Sequence, residues 1–347
     1  MEFWLGLYGM QSPRTFPRSV PYLYRAVIDH AVEAERLGYD GFALTEHHFW
    51  YDGYCPSLLP VLAAIAQRTE TIRLLPCALL LPLRNPLRVA EEIAVVDHLC
   101  RGRLTLGLGY GYRSEEFEGF GLSKQGRGSR FSEIIEILRL AFGKRKLSFS
   151  GKYYSYDDVS VYPKPLQQPS PPLWLAGGGQ TATARRAGQL GLSYCVAAVS
   201  QPFERVKELI DEYHDAAAEA NVAPGQIAVA TDVAIAETHD EVDRILAEDL
   251  LPVYAEQLVS FGFIRDDRGN PVTEIPPEHP IFQVLMDSFV LGTPDEVIAR
   301  IEAFRELGCD VFVPRLVEAN FRNDRILQEM RLFADRVLPH FRREIER

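Results

Sequence analysis

Strand-like and helix-like patterns alternate along this chain of 347 residues from one end to the other. Short apolar runs that fit buried strands are separated by longer stretches whose apolar residues recur at the helical period. Eight β/α units predict an α/β fold, the (β/α)8 or TIM barrel, in which the last strand returns beside the first. An open doubly wound sheet uses the same alternation and is the alternative. The eight predicted strands are residues 3–7, 41–45, 72–81, 104–108, 172–175, 193–196, 227–235 and 311–313.

Three local motifs mark the ends of helices. Residues 35–42 (ERLGYDGF) and 305–312 (RELGCDVF) share the order of helix end, glycine, aspartate and strand. Gly38 is expected to end its helix in the left-handed conformation. The sequence Thr293-Pro294-Asp295-Glu296 predicts a helix start, because it combines a threonine cap, a proline at the first position and a glutamate for a capping box. The first two motifs, residues 35–42 and 305–312, place the entries to strands 2 and 8.

Two stretches interrupt the alternation. Residues 144–168 are polar and aromatic, and Gly151 separates two short strand-like runs, which predicts a hairpin before strand 5. Residues 251–289 form a long insertion after strand 7. Long loops of this kind are usually functional or disordered. Neither stretch is long enough for a separate domain, so we expect one domain over residues 1–347.

Composition excludes several classes of protein. The 37 basic and 48 acidic residues give a net charge of −11, which argues against nucleic-acid binding. No apolar run reaches the length of a membrane span, and the first residues lack the basic region of a signal peptide. The five cysteines are odd in number and contain no Cys-x-x-Cys, so we expect reduced thiols rather than disulfides or a zinc site. A cytoplasmic protein is predicted.

The end of predicted strand 2, Glu46-His47-His48, offers titratable groups at the edge of the barrel where active sites lie. Successive residues of a strand point to opposite faces, so the two histidines are not expected to bind one metal ion. Imidazole suits proton transfer near neutral pH. We expect a histidine here to act as an acid, a base or a hydrogen-bond donor; a structural histidine pair and a metal site are the alternatives.

A glycine-rich segment, residues 177–181, follows strand 5 and opens a predicted helix over residues 181–190. Free backbone N–H groups and the helix dipole at such a position suit one phosphate, which implies a mononucleotide. Arg185 or Arg186 could add charge, and a flexible turn capped by Thr181 is the alternative. The Gly107-x-Gly109-x-Gly111 segment has the wrong spacing for a dinucleotide fingerprint and indicates a close backbone approach.

Aromatic residues gather near the ends of strands 2 and 4. With the apolar run at residues 79–83, they predict a pocket for a flat ring and an apolar substrate. The candidate substrate-pocket residues are Phe49, Trp50, Tyr54, Leu81 and Tyr112.

In their order along the chain, these segments resemble the bacterial luciferase-like monooxygenase family. The likeness extends from about residue 1 to about residue 340. The matching segments include residues 45–49 (TEHHF), Asn85-Pro86 with residues 88–92 (RVAEE), residues 96–104 (VDHLCRGRL) and residues 291–294 (LGTP).

The resemblance implies a TIM barrel that binds reduced FMN at the carboxyl ends of its strands, and a homodimer. It implies that reduced flavin and O2 form a C4a-peroxyflavin, which oxygenates a small, mostly apolar substrate. His47 matches the catalytic histidine, which transfers a proton, and Cys77-Ala78 matches a non-prolyl cis peptide beneath the flavin ring. The implied cofactor-binding residues are Glu46, Cys77, Ala78, Tyr110, Gly177, Gly178, Gly179, Gln180 and Thr181.

The chain departs from the luciferase catalytic subunit at two adjacent positions. Gly109 replaces a reactive cysteine and Tyr110 replaces a phosphate-binding arginine. The first change removes a group tied to luminescence, so light emission is not inferred. The second leaves the phosphate with one cation fewer, unless Arg113, Arg127 or Arg185 substitutes. No nicotinamide motif appears, so a separate flavin reductase is expected to supply reduced FMN. An F420-dependent oxidoreductase that transfers hydride and a non-catalytic flavin-binding protein are the alternatives.

Overall fold

The structure is a computed structural model that describes residues 1–266, 268–276, 278–316 and 323–342. The strands of the described residues are β1 (Glu2–Tyr8), β2 (Gly41–Leu44), β3 (Arg73–Pro76), β4 (Leu79–Leu80), β5 (Leu106–Gly109), β6 (Leu147–Ser150), β7 (Ser155–Val159), β8 (Leu173–Gly177), β9 (Ser193–Ala197), β10 (Ile227–Ile235), β11 (Val290–Gly292) and β12 (Val311–Leu316). The α-helices are α1 (Val20–Leu37), α2 (Leu58–Ala66), α3 (Pro86–Leu99), α4 (Ser114–Gly119), α5 (Arg127–Gly143), α6 (Thr181–Gln189), α7 (Phe203–Glu219), α8 (His239–Ile245), α9 (Leu251–Ser260), α10 (Pro280–Ser288), α11 (Pro294–Glu306), α12 (Asn323–Arg336) and α13 (Leu338–Arg342).

The main sheet is parallel and returns on itself. Its strands follow the order β3-β2-β1-β12-β10-β9-β8-β5-β4, and β11 pairs with β10 beside this path. A parallel bridge between Leu74 and Leu104 joins β3 to the residues before β5. The last strand, β12, pairs with β1, as a barrel requires and an open doubly wound sheet does not. The predicted TIM barrel is therefore confirmed.

The single strand predicted over residues 72–81 is divided in the structure. β3 ends at Pro76 and β4 begins at Leu79, on either side of a cis peptide between Cys77 and Ala78. Leu81 has left the sheet and begins a short 3-10 helix, Leu81–Leu83. An uninterrupted apolar run thus concealed a break, because every residue from Leu74 to Pro82 except Ala78 is buried whether or not it lies in a strand.

The recurring glycine-aspartate motif joins neighbouring strands at the amino-terminal edge of the barrel. Gly38 has φ 85°, as predicted, and the carboxylate of Asp40 accepts the backbone N–H of Phe3 at 2.8 Å. The second copy does the same, since Asp310 accepts the backbone N–H of Ile227 at 2.8 Å. Each aspartate thereby satisfies a strand-initial donor that would otherwise be buried without a partner.

The predicted hairpin is confirmed, because β6 and β7 pair in antiparallel fashion around Gly151. The insertion at residues 251–289 is more ordered than a loop: it carries α9 and α10, although Asp267 and Pro277 lie outside the described residues. Glu256 of α9 ties the insertion to the barrel mouth. Its carboxylate accepts the backbone N–H groups of Arg14 and Thr15 and the hydroxyl of Tyr51, at 2.6–2.9 Å.

Arg103, in the segment of residues 96–104, has a structural role. The Arg103 side chain is buried and donates to the backbone carbonyls of Ala66, Thr69, Ile72 and Cys100, at 2.7–3.2 Å. Carbonyls at helix ends lack partners within the helix. The guanidinium supplies those partners for the ends of α2 and α3 and fixes the entries to β3 and β5.

The lower half of the barrel interior is filled by a stack of two tryptophans. The rings of Trp4 and Trp174 lie 5.0 Å apart at 22° and are almost fully buried. Above these rings, at the carboxyl ends of the strands, the barrel interior is open.

In the described parts of the chain, no helix is long and apolar enough to cross a membrane.

Candidate active site

The main cavity lies at the carboxyl ends of the strands and has a volume of about 800 Å³. Nine of the residues predicted from the sequence to form the site line this cavity. They are Glu46, His47, Cys77, Ala78, Tyr110, Tyr112, Gly177, Gly178 and Gln180.

The other predicted site residues lie outside the cavity wall for identifiable reasons. Leu81 is fully buried in the core, and Phe49 is 60% exposed. Trp50 stacks on Phe261 at 3.8 Å, and Tyr54 lies edge-on against the outer side of His47 at 4.8 Å.

The two remaining residues belong to the glycine-rich segment. A side chain at Gly179 would meet Gln201, at 2.4 Å from the added Cβ. The Thr181 hydroxyl accepts a hydrogen bond from Arg205 at 2.8 Å, and the Gly179 carbonyl accepts another from the same guanidinium. This half of the segment therefore packs against the loop before α7 and α7 itself, whereas Gly178 faces open space.

His47 is held by a buried carboxylate on α4. Its Nδ1 lies 2.7 Å from Oε1 of Glu116, and its Nε2 lies 3.3 Å from the hydroxyl of Tyr112. Burial alone would raise the pKa of Glu116, but His47, the backbone N–H of His48 and Arg113 together hold it below its ordinary value. An ionised Glu116 accepts the Nδ1 proton, which leaves Nε2 as the atom able to gain or lose a proton.

The neighbouring groups Glu46 and His48 are structural in this arrangement. The Glu46 carboxylate accepts the backbone N–H of Leu80 at 3.1 Å and pairs with Arg84 at 2.8 Å. His48 is buried and lies 3.5 Å from Glu46 rather than beside the Nε2 atom of His47. Among the described residues, no group of three or more His, Cys, Asp or Glu side chains is arranged to hold a metal ion.

The wall of the cavity below His47 is bare backbone and small side chains. The cis peptide expected at Cys77-Ala78 is present, and a second one joins Gly6 to Leu7, which the sequence did not indicate. An added Cβ at Gly109 would lie 2.7 Å from the Cβ of Ala78. The position of the luciferase cysteine thus has no room for a side chain, and the close backbone approach predicted for this segment is confirmed.

The far end of the cavity is basic. Arg127, at the start of α5, and Arg186 of α6 both line it, and Arg186 donates to the Ser132 hydroxyl at 2.9 Å. Neither guanidinium has an ion-pair partner among the described residues. Both act electrostatically on Tyr110, although burial outweighs them and raises the pKa of that phenol. Two uncompensated positive charges at one end favour an anionic ligand group there.

The two other candidate arginines, Arg185 and Arg113, interact with protein groups instead of facing the cavity. Arg185 pairs with Glu212 at 2.9 Å and also with Glu219, both on α7. Arg113 donates to the His48 carbonyl at 3.0 Å and lies 4.2 Å above the Trp50 ring. Arg127 and Arg186 are therefore the two arginines that line the cavity without an ion-pair partner among the described residues.

Sequence reasoning missed Glu116. It lies 69 positions after His47 on a six-residue helix, and its carboxylate is fully buried. The only signal for Glu116 in the sequence is an acidic pair, Glu115-Glu116, shortly after the predicted strand at residues 104–108. Other acidic residues lie in the same segment. Such a pair is more often a solvated helix start, so nothing in the sequence singles out Glu116.

A family model described as luciferase-like monooxygenase matches residues 10–310, and the chain belongs to this family. It is 27% identical over 321 residues to the FMNH(2)-dependent dimethylsulfone monooxygenase of Pseudomonas putida, covering 88% of this chain and 85% of that one. It is 26% identical over 330 residues to the F420-dependent glucose-6-phosphate dehydrogenase of Microbacterium testaceum, covering 91% and 93%. The crystal structure of monooxygenase RslO1 from Streptomyces bottropensis matches with a TM-score of 0.85 at 25% identity, covering 98% and 100%.

Proposed function

We propose that this protein is a flavin-dependent monooxygenase that uses reduced FMN and O2 to oxygenate a small, mostly apolar organic substrate. One observation carries the proposal: a single cavity has a His47–Glu116 pair at one end and two uncompensated arginines at the other. The first suits proton transfer, and the second suits the phosphate of a mononucleotide. The family contains relatives named for FMN and for F420, and the choice of FMN is supported by the similarity to proteins named as monooxygenases.

The residues present fit FMN. Gly109 and Gly178 present backbone to the cavity, where a flat ring system can approach closely. Arg127, Arg186 and the amino terminus of α6 surround the far end, where a phosphate would be held. The small wall residues Ala78 and Ala176 leave space for the ring between these ends.

When bound, reduced FMN supplies two electrons and two protons, so that one oxygen atom of O2 enters the substrate and the other leaves as water. Nε2 of His47 holds and moves the proton at the reacting end, and Glu116 keeps the ring in position through Nδ1. The His47 side chain is itself only 12% exposed, which limits its contact with bulk water.

We propose further that the protein works as the oxygenase of a two-component system, with a separate flavin reductase. The name of the Pseudomonas putida relative states dependence on FMNH(2), which supports delivery of the flavin in reduced form. We propose a homodimer on the resemblance to the family, and Val95 and Leu99 of α3, which are 45% and 42% exposed, are two apolar side chains that such a contact could cover. The five buried free cysteines support a reducing compartment such as the cytoplasm.

The oxygen reaction tests the monooxygenase proposal. Reduced FMN mixed with O2 is expected to oxidise with different kinetics in the presence of the folded protein than in its absence. Denatured protein at the same concentration is the control. Identical kinetics in all three samples would contradict the proposal.

Replacing Arg186 with methionine is expected to weaken FMN binding about 10- to 100-fold, since a hydrogen bond to a charged group contributes roughly 1.5–3 kcal/mol. Riboflavin, which lacks the phosphate, is expected to lose affinity less than about twofold. Arg185→Met is a matched control, because the adjacent guanidinium is paired with α7 outside the cavity. Titration of each variant with both flavins measures the effect, and equal losses for FMN and riboflavin in Arg186→Met would rule out this phosphate site.

A further inference from the structure

The imidazole of His47 is surrounded by aromatic rings, one of which, Tyr112, also lines the cofactor cavity. Tyr54, Tyr112 and Phe261 meet it edge-on, with ring centroids at 4.8, 5.4 and 5.8 Å. Phe263 continues this wall, since it lies parallel to Phe261 at 5.1 Å and 8°. We call these four rings, Tyr54, Tyr112, Phe261 and Phe263, the aromatic bay.

The two outer rings of the bay are exposed. Tyr112 is 47% and Phe263 is 55% exposed, although both are large rings and they are neighbours. Behind them, Trp50 stacks on Phe261 at 3.8 Å and Arg113 lies on Trp50. The inner wall is therefore firmly packed, while its outer rings leave apolar area for a ligand to cover.

The two outer rings of the bay contact each other. The centroids of Tyr112 and Phe263 are 6.4 Å apart, with the ring planes tilted by 35°, which is an ordinary distance for an aromatic pair. Their exposed faces can stack against a planar ring, whereas a chain of tetrahedral carbons gains no stacking contact there.

The charge around the bay favours a neutral occupant. Glu116 is engaged by His47 on its far side, and Arg113 is engaged by the His48 carbonyl and the Trp50 ring. Burial, with the nearby charge of Glu116, raises the pKa of the Tyr112 phenol, so this hydroxyl stays protonated at neutral pH. Within the bay, the Tyr112 hydroxyl lies 3.3 Å from His47 Nε2, so both polar atoms are placed to meet a ligand oxygen.

We propose that the aromatic bay is the substrate site and that it selects planar aromatic molecules bearing a carbonyl or phenolic oxygen. One ring of the substrate lies against the exposed faces of Tyr112 and Phe263, and its oxygen points to Nε2 of His47. This inference rests on the proposed function, because it places the substrate beside the histidine that would serve the oxygen reaction.

Two methyl ketones of equal carbon number test the selection: 2-acetonaphthone is planar and aromatic, and 2-dodecanone is linear. The FMN-loaded protein is expected to bind the naphthyl ketone about tenfold more tightly, since two aromatic contacts of ordinary strength correspond to roughly that factor. Phe263→Leu keeps an apolar side chain but removes one ring, so it is expected to lose most of this preference. Calorimetric titration with each ketone measures the affinities.

Phe49→Leu is the matched control, because Phe49 is 60% exposed at the same mouth but contacts His48 and Phe120 instead of His47. It is expected to keep the preference. Equal affinities for the two ketones in the unmodified protein, or a preference that survives in Phe263→Leu, would overturn the inference. So would a changed oligomeric mass of Phe263→Leu with unchanged ketone affinities, which would indicate a protein contact.

The proposed function and the assignment of the aromatic bay as the substrate site can be tested separately. FMN binding and oxygen kinetics are measured in the same preparations without ketone. If these are as proposed and the ketones are not distinguished, only the assignment of the bay is wrong. If reduced FMN is not bound, the proposed function is wrong irrespective of the ketones.

Discussion

Replacing His47 with alanine is expected to lower turnover by about 10²- to 10⁴-fold, the usual contribution of a positioned acid or base. The reason is local: Nε2 of His47 lines the cavity, while Nδ1 is fixed by Glu116 at 2.7 Å. FMN affinity is expected to change little, because the phosphate end of the cavity is formed by other elements. The measurement is product formation from a substrate that the unmodified protein oxygenates, together with an FMN titration.

Glu116 is a positioning residue, and its variants distinguish orientation from simple loss of structure. Glu116→Gln keeps an acceptor near Nδ1 but removes the charge, so turnover falls less than in His47→Ala and its pH profile changes. Glu116→Asp is expected to recover part of the activity. Glu115→Gln, an exposed neighbour on the same helix, is the control. Full turnover in His47→Ala with a true substrate would remove this histidine from the mechanism.

Replacing Glu329 with glutamine is expected to stabilise the protein increasingly as pH rises. Glu329 of α12 is 3% exposed, and neither of its carboxylate oxygens has a hydrogen-bond partner in the part of the chain that the structure describes. Burial raises its pKa well above the ordinary value, because desolvation outweighs the attraction of Arg325, and Asp249 and Glu241 add to the rise. The native state therefore retains a proton that the unfolded chain releases.

The sign of the pH effect follows from this difference. A raised native pKa gives full stability below the ordinary glutamate pKa, about 4.3, and stability is lost as pH increases towards the native value. Relative to Glu329→Gln, the free energy of unfolding of the unmodified protein should fall by about 1.4 kcal/mol per pH unit in that range. Denaturant unfolding at several pH values measures it, and Glu136→Gln, exposed on α5, is the control. Parallel pH curves for Glu329→Gln and the unmodified protein would contradict this account.

The barrel could be predicted from the sequence because each of its strands is buried on both faces. Such strands appear as short apolar runs, and β10 is buried along all nine of its residues. The boundary at Cys77-Ala78 and the strand β11 could not be predicted from apolarity. The first lies inside a longer apolar run, and the second is only three residues long.

The site was predictable where a residue stands at the end of a strand. Tyr110 and Gly178 follow their strands directly, and His47 lies three residues after the end of β2. Their place at the mouth therefore follows from the topology. The partners that tune them lie on helices. Residues adjacent on a helix point about 100° apart, so Arg185 and Arg186 cannot both face the cavity. Choosing Arg186 requires knowing that Arg185 faces Glu212 of α7. Such choices depend on packing between distant segments.

The measurement that tests the central claim most directly is an anaerobic titration of the protein with reduced FMN and, separately, with reduced F420. We predict saturable, tight binding of reduced FMN and no comparable binding of the deazaflavin, because the proposed oxygenation needs a reduced flavin that reacts with O2. Tight binding of reduced F420 alone would contradict it. The protein would then be a hydride-transferring oxidoreductase, with His47 moving a proton at the substrate.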